Sequence, residues 1–505
     1  MSRTLSLLLL TLVFVPCTLA SIIHVPADQP TIQAGINAAV NGDTVLVAPG
    51  TYSESINFNG KAITVESSNG ASVTTIAVPA SSFGVTFNHA ETSSSVLKGF
   101  TIQGANDTFG IVIDSSPTIL GNIITGNHSC DGAGISVNGG SPVIKGNTIR
   151  GNFHDLCSGG SGGGGMSVGG PSSAAQIIGN VISGNDGGNG FSGGGISLFA
   201  AGSPYIANNL IANNNTQSAG GGIGIGGCCA NAIIVQNVIV GNTAGTSGGG
   251  IYSFGNLGTP TIANNTVANN QSGNGIGSGI YTNSYTGDPT RIYNNIVIGL
   301  SGETALYCDN FNTTTVAVFF SNDVYAPSGT TYGGFCADQT GTNGNISVDP
   351  LFVSKSNYRL RDGSPAIDAG DNSAPDLPSK DFAGNPRIIN GYGGPTAIVD
   401  MGAYEFVPAF FAPKSLSFGL QAVGSSTSKT VKLTNALDKT LDISSLSVPT
   451  GYSAAGCGTS IAAFKSCTLT VTFHPLASGT FKGTLTAKDN AGNSPQSLGL
   501  SGSAK

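Results

Sequence analysis

One pattern restricts what this chain can fold into: Ile-x-x-Asn-x-(Ile/Val)-x-x-Asn, which returns seven times from Ile119 onward. Its first asparagines are Asn122, Asn147, Asn180, Asn209, Asn237, Asn265 and Asn295, spaced 25 to 33 residues apart. The last copy, Ile292/Asn295/Val297, lacks the second Asn. Self-similarity at this period marks a solenoid, in which each unit buries its apolar face only against its neighbours. A second signature follows each Asn pair, a glycine before an apolar residue: Gly134-Ile135, Gly165-Met166, Gly195-Ile196, Gly222-Ile223, Gly250-Ile251 and Gly279-Ile280. The unit therefore reads as two short apolar strands, a polar turn between them and a loop back. Coils stacked about 4.8 Å apart pair these strands in parallel around one core.

The side chains agree with that reading. Asn carries donors and an acceptor, so a column of Asn can bond its own turn and the Asn above and below. The glycines are expected at corners that need left-handed backbone. Helices are excluded as the main element: 76 of 505 residues are Gly, each costing a helix about 1 kcal/mol. Only 9% of residues are charged, well under the usual share of a globular domain.

The repeat resembles the right-handed parallel β-helix family, the pectin-lyase-like fold, over residues 22–406. The resemblance implies an all-β solenoid and leaves activity open. The Arg-x-Pro-x-x-Arg of pectate lyases and the Asn-Thr-Asp, Asp-Asp and Gly-His-Gly of polygalacturonases do not occur.

Four regions follow. Residues 1–20 read as a signal peptide: Arg3, an apolar stretch from Leu5 to Val15, and Thr18-Leu19-Ala20 as the cleavage site. The run is too short to span a membrane, and no other segment is long enough. Residues 21–348 are the β-helix with its N-terminal cap, in which Pro30 opens a short helix with Ile32, Ile36, Ala39 and Val40 on one face. Residues 349–408 form a C-terminal cap segment rich in Asp and Arg, and its Ser364-Pro365-Ala366-Ile367-Asp368 and Asp400-Met401-Gly402-Ala403-Tyr404-Glu405 resemble the exit of exported bacterial β-helix proteins. No cofactor is required. Calcium on the Asp carboxylates of this segment is the one candidate, since hard oxygens suit it, against Arg–Asp pairing within the cap. Residues 413–505 alternate in short strands and read as an immunoglobulin-like β-sandwich. They resemble Hydin-like and abnormal-spindle-like modules.

Eight cysteines remain after Cys17. An even count in an exported chain favours disulfides, expected as Cys130 with Cys157, Cys308 with Cys336 and Cys457 with Cys467. The vicinal Cys228-Cys229 pair is left unassigned. No Cys-x-x-Cys occurs, so no metal site is expected.

Chemistry has little room. From Gly187 to Gly287 there is no Asp, Glu, Lys, Arg or His, and general acid–base catalysis needs a titratable group near the proton. The early loop edge offers catalytic candidates: Asp131, His154, Asp155 and Asp186, with His128 and Arg150 beside them. Paired carboxylates there would suit glycoside hydrolysis. A sparser second place lies near Asp288, Arg291, Glu303 and Asp309. The expected function is non-catalytic binding of a polysaccharide or cell-surface partner by a secreted or surface-attached protein. The alternative is a polysaccharide lyase or glycoside hydrolase at the early loop edge. The sandwich carries net charge +5 in a chain of −7, which suits an anionic envelope polymer. Export and the lack of clustered basic and stacking motifs argue against nucleic acid.

Overall fold

The computed structural model describes residues 20–130, 132–154, 162–191, 193–227, 231–256, 258–284, 289–310 and 316–505. The proposed signal peptide therefore lies outside the described residues, apart from Ala20. So do Asp131, Asp155, Cys157, Cys228, Cys229 and Asp288.

Three parallel sheets of twelve, eleven and eleven strands wind into a solenoid. The first runs from Ile22–Val25 to Val318–Phe320, the second from Gly50–Ser53 to Asp323–Tyr325, the third from Ile56–Asn57 to Thr330–Gly334. Each coil thus has three strands, where the sequence pattern suggested two. The two apolar halves of the Asn motif lie on separate strands with a corner between them. Ile119, Ile144, Ile177, Ile206, Ile234, Ile262 and Ile292 stack in register in the first sheet. Ile124, Ile149, Ile182, Ile211, Ile239, Val267 and Val297 do so in the second. Ile135, Met166, Ile196, Ile223, Ile251 and Ile280 fill the third. All of these are buried, so the core is continuous from coil to coil.

The corners hold two asparagine ladders. The backbone N–H and Nδ2 of Asn147 both donate to Oδ1 of Asn180, at 2.8 and 3.0 Å, and its Nδ2 also reaches Ile119 O at 2.9 Å. The same bonding repeats from Asn122 to Asn295 and continues through Asn322 to Asn345. Phe319-x-x-Asn322-x-Val324 is the repeat with Phe in place of Ile, which hid this extension. A second ladder joins Asn127, Asn152, Asn185, Asn214, Asn242 and Asn270.

The glycines divide into two groups. Gly121 and Gly146, just before ladder asparagines, have φ of 63° and 64° and take the expected left-handed corner. The glycines of the Gly-apolar signature do not. A Cβ on Gly195 would stand 2.7 Å from Gly222 O and 2.9 Å from Asn214 Nδ2. Gly134, Gly165, Gly222 and Gly250 meet the second ladder in the same way. Their role is close approach, so the Gly column and the second Asn ladder require each other.

At the entrance a helix over Ile32–Ala38 is capped by the Thr31 side chain. Glu54 accepts the Ile32 and Gln33 N–H groups at one end, and Lys61 Nζ donates to the Ile36, Asn37 and Ala39 carbonyls at the other. Each ion suits the helix dipole it faces. Ile32, Ile36 and Ala39 are buried, but Val40 is exposed. The helix stops at Ala38 and Ala39 is already extended, so Val40 leaves the apolar face.

Residues 349–408 form a strap that packs along the side of the solenoid. Gly402 N–H donates to Asn294 O, Ala403 N–H to Thr266 Oγ1 and Asn294 Nδ2 to Asp371 O. Ala403, with Tyr358, Phe382 and Tyr404, packs on Ala212, Val238, Val240 and Ala268, which point outward from the second sheet. Arg387 is wholly buried at this seam. It pairs with Glu405 at 3.2 Å and donates from Nη2 to Asn264 Oδ1 at 3.1 Å.

The strap's core continues into the β-sandwich through Leu360, Ile367, Met401, Phe406 and Phe411. One sandwich sheet contains Ala409–Ala412, Thr427–Asn435, Ser466–Phe473 and Tyr452–Ala455; the other has five strands, including Ser415–Gln421, Gly479–Asp489 and Gln496–Ala504. Its first strand thus precedes Pro413. Cys308–Cys336 closes the last coils and Cys457–Cys467 the sandwich. The expected partner of Cys130, Cys157, lies outside the described residues.

Candidate functional site

Beyond the second Asn ladder the chain adds a fourth short row of strands. His128–Ser129 pairs with Phe153–His154, and Asn215–Thr216, Thr243–Ala244 and Gln271–Ser272 pair with one another. Bridges through Asp186 join the two groups. One column of this row faces outward: His128, Phe153, Asp186, Asn215, Thr243 and Gln271. The alternate column, with Ser129, His154, Thr216, Ala244 and Ser272, points in and is buried. Period-two alternation of a strand decides this.

The structure thereby separates the sequence candidates. Asp186 lies in the outward column, where its Oδ1 accepts the Gly188 N–H at 2.8 Å. His128 stacks on Phe153 with ring centroids 5.1 Å apart. His154 is on the buried side, 4% exposed, its backbone N–H bonded to Asp186 O at 2.7 Å. Its ring lies beneath Gly188 and Gly190, where an added Cβ would come within 3.1 Å of Nδ1 and Nε2 respectively. Neither ring nitrogen has a hydrogen-bond partner. Asp131 and Asp155 fall outside the described residues. Among the described residues Asp186 is the one carboxylate in the outward column.

The second place does not gather either. Arg291 projects from the exposed face of the first sheet. Glu303 is committed to Ser272, accepting its N–H and hydroxyl at 3.0 and 2.8 Å. Asp309 belongs to the outer face of the third sheet, where it accepts the Tyr281 hydroxyl.

That face was not anticipated. Tyr252, Tyr281 and Tyr307 occupy one register column. Their rings stack at 4.9 and 5.5 Å, and Phe254 stacks on Tyr252 at 5.8 Å. Burial, with the nearby Asp309 charge second, pushes the Tyr252 hydroxyl up to about 12. Burial, then the bond to Asp309, also raises Tyr281. These hydroxyls remain neutral donors at ordinary pH. The signal was in the sequence, as a Tyr one residue after the signature Gly-Ile in Ile251-Tyr252 and Ile280-Tyr281.

Three buried or half-buried strap carboxylates are occupied by backbone donors. Asp400 accepts the Asp368 and Phe406 N–H groups, Asp381 those of Asn385 and Glu405, and Asp368 those of Gly391 and Tyr392. Among the described residues no three His, Cys, Asp or Glu side chains converge as metal ligands. Nor is any described helix long and apolar enough to cross a membrane.

Comparison with known proteins identifies the C-terminal part. Residues 406–497 match the ASH family, described as Abnormal spindle-like microcephaly-assoc'd, ASPM-SPD-2-Hydin. The chain therefore carries an ASH domain behind its solenoid. Among solved structures, the ASH/PapD-like domain 7 of human CEP192 is 14% identical, covering 19% of this chain and 85% of that one, with a TM-score of 0.17. A protein of unknown function from Porphyromonas gingivalis W83 is 14% identical over 19% of this chain and 46% of its own, with a TM-score of 0.18. The Vibrio cholerae VesB protease is 12% identical over 24% and 42%, with a TM-score of 0.17. No curated protein matches the chain in sequence.

Proposed function

We propose that this is an exported, non-catalytic binding protein. In this reading the solenoid holds a polysaccharide or other cell-surface partner, and the basic ASH domain helps to seat it on an anionic envelope. The observation that carries the reading is the surface of the middle coils. They repeat Asn215, Thr243 and Gln271 in one exposed column and tyrosines in another, yet offer no Asp, Glu, Lys, Arg or His from Gly187 to Gly287. Such a surface supplies hydroxyl, amide and ring contacts, and from Gly187 to Gly287 no carboxylate, imidazole or amine to act as general acid or base. Export is supported by the Cys308–Cys336 and Cys457–Cys467 disulfides, which persist in oxidising compartments, and by the leader-like first twenty residues.

The test is a glycan array run beside a reducing-end assay on the purified chain. Binding without release of reducing ends is expected, unchanged in Asp186→Ala. Glycan cleavage that disappears in Asp186→Ala, in a protein that stays folded, would establish a hydrolase or lyase instead.

A further inference from the structure

The outer face of the third sheet carries a strip of rings that neither the core nor the strap uses. It begins at Phe191 and Phe199, 44% and 40% exposed, whose rings meet edge to face at 5.4 Å. Phe191 lies over Gly226, where an added Cβ would stand 2.1 Å from the ring. Gly226 is the register partner of Phe199 in the next coil, so a missing side chain makes room for the second ring. The strip continues through Phe254 and the half-buried Tyr252 to Tyr281 and Tyr307.

A polar group closes it. Asn283 follows Tyr281 by two residues, so it projects from the same face, and it is the register partner of Asp309. Its side chain is 2% exposed, and neither Oδ1 nor Nδ2 has a hydrogen-bond partner. A buried, unpaired carboxamide costs about 1–3 kcal/mol. The corner asparagines of this solenoid are bonded in ladders, whereas both polar atoms of Asn283 stand ready for a donor and an acceptor from outside.

We propose that this strip, from Phe191 to Asp309, is the glycan-binding surface, and that it takes a neutral polysaccharide in preference to an acidic one. The inference rests on the binding reading above and names its site. Sugar rings present apolar C–H faces to the exposed Phe rings and paired hydroxyls to the Asn283 amide. The charge pattern sets the class. Asp309 lies at one end, and the sequence from Gly187 to Gly287 holds no Lys or Arg, so a uronate would meet like charge and no counter-ion.

The full chain is to be run by affinity electrophoresis through gels containing hydroxyethylcellulose, galactomannan or polygalacturonate. Retardation is expected in a neutral gel and not in polygalacturonate. The double variant Phe191→Ala/Phe199→Ala should weaken binding about tenfold, as loss of anchor rings does. Asn283→Leu should weaken it as well while holding or raising the melting temperature, because it removes an unpaired polar group; a purely structural Asn283 would lose stability. Neutral-glycan binding that survives both variants overturns the site and leaves the binding reading standing. Preference for polygalacturonate overturns the neutral class. No retardation in any gel overturns the inference together with the reading on which it rests.

Discussion

Asn180 gives two hydrogen bonds to one atom of Asn209: its backbone N–H and its Nδ2 both reach Oδ1, at 2.8 and 3.0 Å. Asn209 in turn donates from Nδ2 to Ile177 O at 2.8 Å and to Asn237 Oδ1 at 2.9 Å. Every link is buried, so each coil depends on the next for its corner. Asn209→Leu strands the Asn180 donors and the Ile177 carbonyl. A loss of about 1–3 kcal/mol is expected. Asn215→Ala, in the exposed column, should stay within about 0.5 kcal/mol. Thermal melts of the two variants check the contrast, and equal values would remove the ladder's role.

The two kinds of glycine should respond differently. Gly121 has nothing within 4 Å of an added Cβ, only a φ of 63°. Gly121→Ala should therefore cost about 1–2 kcal/mol, the strain of left-handed backbone. Gly195→Ala drives a methyl against Gly222 O and Asn214 Nδ2, where backbone has no room to yield. Denaturant titration is expected to show the larger loss at Gly195.

The Cys308–Cys336 bridge joins residues 28 apart in the final coils. Cys308→Ser should lower stability by about 2–4 kcal/mol, chiefly by freeing the unfolded chain. Peptide mapping without reductant should recover Cys308 with Cys336 and Cys457 with Cys467. Recovery of free thiols at these positions would also remove the redox support for export.

Asp323 gives one part of the pH dependence. It is buried, with Oδ1 accepting the Val348 N–H at 3.1 Å and Oδ2 unpaired. Burial first, and repulsion by Asp349 after it, push its carboxyl up to about 7. Its ordinary value is about 3.9. Between those values the native state holds a proton that the unfolded state has released, so this group's contribution falls as pH rises from about 4 to about 7. Asp323→Asn should flatten that slope and melt higher than the wild type at pH 8. A variant that keeps the wild-type slope would show that burial does not shift Asp323.

The sequence by itself determined the solenoid. Ile119, Ile124 and Ile135 each begin a column whose members recur at the coil period, so the repeat fixed which side chains face inward and which asparagines stack. It also marked the sandwich strands around Val431, Leu469 and Leu485 by their alternation. These are local patterns, repeated until no other packing is consistent with them. The tertiary structure decided what lies outside the coils. Val238, Val240 and Ala268 look like an apolar surface until Ala403 and Tyr404, more than a hundred residues later, cover them. The same seam buries Arg387 against Asn264 and Glu405. His154 and Asp186 likewise sit on neighbouring coils of one turn, but strand alternation sends one ring beneath the glycines and leaves the other side chain outside. Contacts between remote segments, and the side a short strand presents, follow from packing that no repeat encodes.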